Sequence, residues 1–362
     1  KANRPFSFSQ TTAAKGGGER NVTKTDKAAA YSSLAFVYLL WMSIFMMSQG
    51  LLTSTIEEKS ARTVEVVLSS CTPLEFMTGK ILGLAAVGLT LIYGVMKILN
   101  IAHGSLFALG AYAAASLAGG WLSGGYAAMG SYAVMVGAAI LVGLVAGPVI
   151  ERGLLRFMYG KEEIVLVLVT YAVFLILEDF IKLVWGVDPY FLAQPYGMLG
   201  NFSIGDLTYP NYNLLLLGAS VLTGVVLAWV LNRTRQGKIL LAVIHDREMS
   251  GAMGINVGRV YFITFTVGAM LGALGGALTA PMISVQPGIG AETIVLAFAV
   301  VVIGGLGSLS GAALAAVLVG LVRAAAVHYR PELDMFSIYL VMAVVLILRP
   351  KGLFSLPEAR KI

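Results

Sequence analysis

The chain has 362 residues, 58% of them hydrophobic and only 12% charged, about half the charged share of an ordinary soluble domain. With 42 Gly, 11 Pro and one Cys it excludes a disordered chain, a disulfide scaffold, a zinc-finger array and a cytosolic enzyme. The formal charge of +6 is scattered through short loops between apolar runs, a pattern that orients membrane helices and excludes nucleic acid as a partner.

Residues 1–30 are polar, carry Gly16-Gly17-Gly18 and six basic residues, and read as a flexible arm. The start at Lys1, with no apolar signal core, reads as an N-terminally incomplete chain. Tyr31 to Leu52 is apolar and long enough to cross a membrane, whereas Glu57 to Leu68 is charged, partly amphipathic and expected on the membrane surface. Further runs cover Ile81 to Leu99, a short Ala- and Gly-rich stretch from Ser105 to Ala118, then Ala127 to Ile150 and Ile164 to Trp185. Leu214 to Leu231, Val260 to Ala280, Thr293 to Val322 and Phe336 to Leu348 complete the series. Backbone inside a bilayer must satisfy itself, so the expected fold is all-α, a polytopic transmembrane helical bundle. It holds about eight to ten membrane segments, including short Gly-broken or re-entrant helices.

Loop charge orients the second half. Loops 151–163 and 232–259 and the C-terminal tail hold Lys and Arg, while 186–213 and 281–292 hold none. The first three are therefore expected in the cytoplasm. Parity then requires 293–322 to enter and return, turning at Gly304-Gly305-Leu306-Gly307-Ser308.

Two polar features stand out within the runs. Lys97, Asn100 and His103 are spaced by three, which predicts one helix face that lines a translocation path, with Gly104-Ser105 ending one helix and starting another. The plainer alternative is a snorkelling Lys97 and a His103 bound to a helix-end carbonyl. Gly104-Ser105-Leu106 and Gly307-Ser308-Leu309 each open an Ala-rich segment, as paired half-helices beside a substrate route do. Their free N–H groups suit a carboxylate, or their small residues simply allow close packing. Glu178 and Lys182, with Asp179 beside them, are expected as an i,i+4 ion pair.

Catalytic motifs fail. Three His and Cys71 match no zinc site, and no H-E-x-x-H occurs. Gly79-Lys80 and Gly237-Lys238 are each followed by Ile, so there is no phosphate-binding loop, no nucleotide cofactor and no ATP hydrolysis by this chain. Ser310 in Ser308-Leu309-Ser310-Gly311, with His103 or His328 as base, is a weak candidate dyad.

Gly88 to Gly104, reading GLTLIYGVMKILNIAHG, resembles the opening of branched-chain amino-acid (LIV-type) ABC importer permeases. So do Asp246-Arg247-Glu248-Met249 with Gly254-Ile255-Asn256, the segment Ala297 to Ser308, and the ending Arg349-Pro350-Lys351-Gly352-Leu353-Phe354. The resemblance covers about residues 83–362. It implies a permease subunit in the bacterial inner membrane that moves branched-chain or other small hydrophobic amino acids. A second permease, two ATPase subunits that bind the ATP, and a periplasmic binding protein are its implied partners.

Residues 31–82, through Tyr38-Leu39-Leu40-Trp41, Leu51 to Ser60 and Gly79 to Gly83, instead resemble sodium-exporter-type ABC permeases. The expected organisation is an arm (1–30), an exporter-like segment (31–82) and a LIV-type permease (83–362), joined within Gly83 to Thr90. An exporter permease is the second functional reading, although the segment lacks the remaining spans. A self-powered secondary transporter is the third, and the spans are nearly free of Asp and Glu.

A permease without ATP chemistry must receive force mechanically, which points to loop 232–259. A rigid helix from Gly237 to Gly254 is expected to contact the ATPase through Gly237, Ala242, His245, Asp246, Arg247 and Glu248, with Gly254 as its stop. The plainer alternative is an amphipathic loop held at the headgroups.

Overall fold

The computed structural model describes residues 11–14, 18–21, 74–204 and 207–354. The chain divides into two compact units, Lys1–Ser69 and Ser70–Ile362. In the first, β1 (Thr11–Ala14) pairs antiparallel with β2 (Gly18–Asn21), Thr11 opposite Asn21. Paired strands thus stand where the polar composition predicts only a flexible arm. The expected span from Tyr31 to Leu52 and the surface stretch after it lie outside the described residues.

The second unit is helical. In chain order it contains α1 (Leu74–Met96), α2 (His103–Ser123), α3 (Gly130–Ile150), α4 (Glu163–Trp185) and the short α5 (Gln194–Met198). A hairpin of β3 (Asn201–Ile204) and β4 (Leu207–Pro210) leads into α6 (Asn211–Arg233). Then follow α7 (Arg235–His245), α8 (Arg247–Ala252), α9 (Val257–Thr279), α10 (Ile289–Gly304), α11 (Leu309–Tyr329) and α12 (Asp334–Leu348). Among the described residues, five helices are long and apolar enough to cross a membrane. The pair α10–α11 bends by 116° at its break, and Gly83–Met96 and Phe336–Leu348 are shorter apolar helices. A π-turn, Glu151–Leu155, extends α3 so that the apolar helix runs on to Met158.

The run from Ser105 to Ala118 is not short: α2 spans 21 residues, because Gly119 to Ser123 continue the helix. Its mean hydropathy is only 1.3, against 2.4 for α4, since it is built from Ala, Gly and Ser. Those small residues are its packing surface. In a bilayer, helices gain little from mutual burial of apolar groups and associate through close van der Waals contact, which small residues permit. α9 is the hub of that packing. Gly276 faces the backbone of Phe107 on α2, Gly268 the side chain of Ile92 on α1, and Met270 lies against Gly143 of α3. Tyr112, Tyr212, Phe107 and Phe265 fill the wider gaps and are fully buried.

The helix α1 runs unbroken through 83–90, where the two sequence resemblances meet.

Candidate functional site

Three polar features are built into this bundle. The first is the connection between α1 and α2. α1 stops at Met96, and Lys97 adopts φ 55°, a left-handed value uncommon for a residue with a side chain. Residues 97–100 belong to neither helix nor strand. On α4, the Thr170 hydroxyl donates to Leu99 O (3.1 Å) and accepts from the Ile101 N–H (3.3 Å). Ser105 Oγ donates to Phe174 O at 3.1 Å. Phe174 lies eleven residues beyond Glu163, about 16 Å along α4, so the first turn of α2 already sits well inside the bundle. Irregular backbone at that depth survives only when enclosed by protein or lining a cavity.

This geometry corrects the expected helix face. Lys97 is exposed, with its ammonium 5.5 Å from the Tyr93 ring centroid, and Asn100 sits in the irregular link. His103 opens the next helix. Asn100 is fully buried and both its amide atoms are unpartnered. His103 Nε2 lies 2.9 Å from Ala85 O, and its ring is clasped between Gly88 of α1 and Gly272 of α9. The spacing of three reflects a helix end, a link and a helix start.

The second feature is the two ends of α10. At its N-terminus, Gly288 (φ 95°) donates its N–H to Glu178 Oε2 at 3.2 Å. Glu178 is 7% exposed, and its Oε1 has no hydrogen-bond partner and lies beside Gly290. A carboxylate placed there answers the positive end of the helix dipole. The expected Glu178–Lys182 pair therefore does not form. Lys182 instead meets Asp179 at 3.1 Å in an exposed i,i+3 contact of little energetic weight. Glu178→Ala leaves the α10 terminus without its carboxylate and is expected to cost about 1–3 kcal/mol, with Glu178→Gln recovering most of it. Thermal unfolding of both variants in detergent checks this, and equal melting of the two would refute the contact's role.

At the other end of α10, Gly305 and Gly307 have φ of 100° and 84°, which lets the chain turn within a few residues. The C-terminal segment closes over this turn. Leu353 N–H donates to Ile303 O (2.9 Å) and Phe354 N–H to Gly304 O (3.0 Å), while Gly352 sits against Gly305. Two motifs separated by more than forty residues thus form one cap. Ser308 starts α11 by accepting from the Gly311 N–H at 3.1 Å, so its own hydroxyl engages one of the donors expected to be free. Gly104 packs against Gly290 at the first end of α10, whereas Gly307 belongs to the second. The two Gly-Ser-Leu segments are therefore separated by about 20 Å of helix and do not build one site. Ser310 is exposed, 3.4 Å from Ser308 Oγ, and His103 is committed to Ala85. The His328 side chain lies outside the described residues.

The third feature is α7 and α8. One helix is expected from Gly237 to Gly254, and two are found, because Asp246 leaves the helical conformation (φ −150°, ψ 105°) and caps α8. Its side chain accepts from the Met249 N–H at 2.9 Å. Thr234 caps α7 in the same way through Gly237, and Gly254 (φ 84°) follows α8. Gly237 is buried against the backbone of α6. Ala242, His245, Asp246, Arg247 and Glu248 are exposed, with Met249 and Met253 also bared at 61% and 77%.

A tyrosine relay backs this surface and left no signal in the sequence. The Arg247 guanidinium lies 5.4 Å from the Tyr261 ring, and Tyr261 meets Tyr159 edge-on at 5.0 Å. Tyr159 then donates to Glu151 Oε1 at 2.6 Å. Glu151 is 2% exposed and heads the π-turn of α3. Burial, reinforced by that hydrogen bond, pushes the Tyr159 phenol well above its ordinary range, so it remains a donor.

Comparison with known proteins agrees with this architecture. The family described as "Branched-chain amino acid transport system / permease component" matches residues 76–347, leaving residues 1–75 outside the match. The chain is 29% identical to the high-affinity branched-chain amino acid transport system permease protein BraD of Pseudomonas aeruginosa, over 78% of this chain and 94% of that protein. It is 27% identical to the permease protein LivH of the corresponding Escherichia coli system, with the same coverage. A probable branched-chain amino acid transport permease protein LivH of Methanocaldococcus jannaschii is 26% identical over 75% of this chain and 88% of its own length. With most of its length matched, the chain is a member of the branched-chain amino acid transport permease family.

Proposed function

We propose that this protein is the membrane permease subunit of an ABC importer for branched-chain or other small hydrophobic amino acids. Family membership over residues 76–347 is the observation that carries the reading. The partners would be a second permease, two ATPase subunits and a periplasmic binding protein, and the location the bacterial cytoplasmic membrane. The exposed α7–α8 surface, cytoplasmic by loop charge, would receive the ATPase. Asn100 in the buried link, His103, Gly104 and Ser105 at the start of α2, and Gly304, Gly305, Gly307 and Ser308 at the C-terminal end of α10 would border the path. Lys97 would stand at the cytoplasmic mouth of that path. An exporter role rests only on residues 31–82, of which 31–75 lie outside the family match.

Leucine uptake into proteoliposomes is the direct test. Uptake is expected only when ATPase subunits, internal ATP and external binding protein are all present. Uptake that persists without any ATPase subunit would favour a secondary transporter instead.

A further inference from the structure

Glu178 is a carboxylate inside a membrane span. It lies fifteen residues beyond Glu163, about 22 Å along α4, and about 10 Å short of Trp185 at the outer end. Carboxylates at that depth are costly, face the bundle interior and are kept with a partner. Glu178 has no cationic partner among the described residues, since Lys182 turns to Asp179. One of its oxygens takes the Gly288 N–H and the other takes nothing.

Its surroundings offer acceptors rather than donors. Glu178 Oε1 and Gly104 O each lie 2.8 Å from where a Cβ of Gly290 would stand, so two acceptor oxygens converge there. The Tyr112 hydroxyl, within electrostatic reach of Glu178, is also buried and unpartnered. The Tyr112 ring adjoins those of Trp185 (5.5 Å) and Tyr190 (5.8 Å), and aromatic faces attract cations. Carboxylate, carbonyl, hydroxyl and aromatic faces together suit an ammonium group, which brings a positive charge and three donors. A metal ion asks for a larger set of oxygens, and no three His, Cys, Asp or Glu gather among the described residues.

Glu178 Oε1 is covered in this structure, and its cover is held by few contacts. Gly288 brings its N–H to the carboxylate, and three residues earlier Val285 is tied to Tyr190 by backbone hydrogen bonds of 2.9 and 3.0 Å. This clasp is an isolated bridge between loops 186–213 and 281–292, which hold no Lys or Arg and so face outward. Parting it draws Gly288 away and bares the carboxylate to the outside. We propose that Glu178 receives the α-ammonium of an incoming amino acid, and that the Tyr190–Val285 clasp is the outer gate over it. The inference rests on the importer reading and adds the substrate group that the path recognises. The closed state leaves a buried carboxylate oxygen unpaired, so a state in which water or substrate meets that oxygen competes with it. Substrate thereby favours one gate position through a contact the other lacks.

Thermal unfolding of the full chain in detergent, with two fragments of leucine as probes, tests the contact. Isoamylamine is leucine without its carboxylate, and isocaproate is leucine without its ammonium group. A ligand of the folded state raises the melting temperature. Isoamylamine is expected to stabilise the wild type and to leave Glu178→Gln, which keeps the shape without the charge, unmoved. Isocaproate is expected to stabilise neither. Failure of the amine to stabilise the wild type overturns the assignment, as does stabilisation that survives in Glu178→Gln. Stabilisation by isocaproate alone also overturns it, and would place the substrate's carboxylate at α10 instead. Tyr190→Cys with Val285→Cys, in a Cys71→Ser background, tests the gate. The Cα atoms of such a pair stand about 5.5 Å apart, within disulfide range. Oxidation is expected to lower leucine uptake about tenfold or more in proteoliposomes holding ATPase subunits and binding protein, and reduction to restore it. If the substitutions alone abolish uptake, oxidation is expected to abolish stabilisation by isoamylamine instead. An oxidised protein that behaves as the reduced one in both measurements overturns the gate. Amine binding by a wild type that shows no ATP-driven uptake would overturn the importer reading while leaving the ammonium site standing.

Discussion

Gly276→Val is expected to remove the folded permease from detergent extracts. A Cβ at 276 falls on the carbonyl of Phe107 in α2, with Phe107 C at 2.8 Å and Ala111 N at 3.0 Å. All of these are backbone atoms of a helix, so no rotamer change relieves the clash and α2 must part from α9. Ordinary overpacking costs about 1–3 kcal/mol because side chains shift. Here the cost is expected to exceed about 4 kcal/mol, since the displaced partner is a helix that itself holds Tyr112 and Phe107 in the core. Gly218→Val is the control: Gly218 is exposed on α6 with nothing within 4 Å of its Cβ position. The yield of monodisperse protein after extraction measures the difference. Comparable yields for the two variants would show that the α2–α9 contact tolerates separation.

The importance of position 276 was not readable from composition, though much of the fold was. Long apolar runs place α4, α6 and α9 to within about three residues, those of α6 and α9 free of charge and that of α4 charged only towards its end, because a bilayer demands a long apolar stretch. The turn after Gly304 was legible for a local reason: Gly305 and Gly307 take positive φ, which other residues resist. α2 was read as too short because hydropathy scores Ala and Gly low, although those residues give it its tightest contacts. Lys97 misled for the converse reason. No Gly or Asn marks the left-handed turn there, so a spacing of three read as a continuous helix.

The site residues divide along the same line. Asp246 was expected to act through charge on a rigid helix, and its position before Arg247-Glu248-Met249 is also that of an N-cap, a signal written locally. Glu178 was assigned to Lys182 by a local rule, whereas its actual donor, Gly288, is 110 residues away. The relay from Arg247 to Glu151 crosses three elements whose proximity depends on how α3 and α9 pack. Sequence spacing carries no information on such contacts without the fold. The proposed exporter-like origin of residues 31–82 stands on sequence likeness, while the family match begins at residue 76.

Reversing charge on α8 is expected to uncouple transport from ATP. Asp246→Lys with Glu248→Lys changes an exposed patch by four charge units while leaving the buried face of α7, Val243 and Gly237, untouched. The proposed ATPase contact is then expected to fall below detection in co-purification, with membrane insertion unaffected. Asp246 also caps α8, so the lysine variant removes a cap worth about 1 kcal/mol along with the charge. Asp246→Asn with Glu248→Gln separates the two effects, because Asn caps as well as Asp. This milder variant is expected to keep α8 folded and to weaken co-purification by about tenfold. Tyr159→Phe tests the route inward from the same surface. It keeps the edge-on contact with Tyr261 but breaks the hydrogen bond to Glu151, so the ATPase is expected to bind normally while uptake per ATP falls. A force reaching α8 needs such a stiff connection to move α3, whose π-turn begins at Glu151. Normal ATPase binding and normal ATP-driven uptake in the double-lysine variant would exclude α8 as the contact, leaving the Met-rich patch around Met249 and Met253 to be explained otherwise.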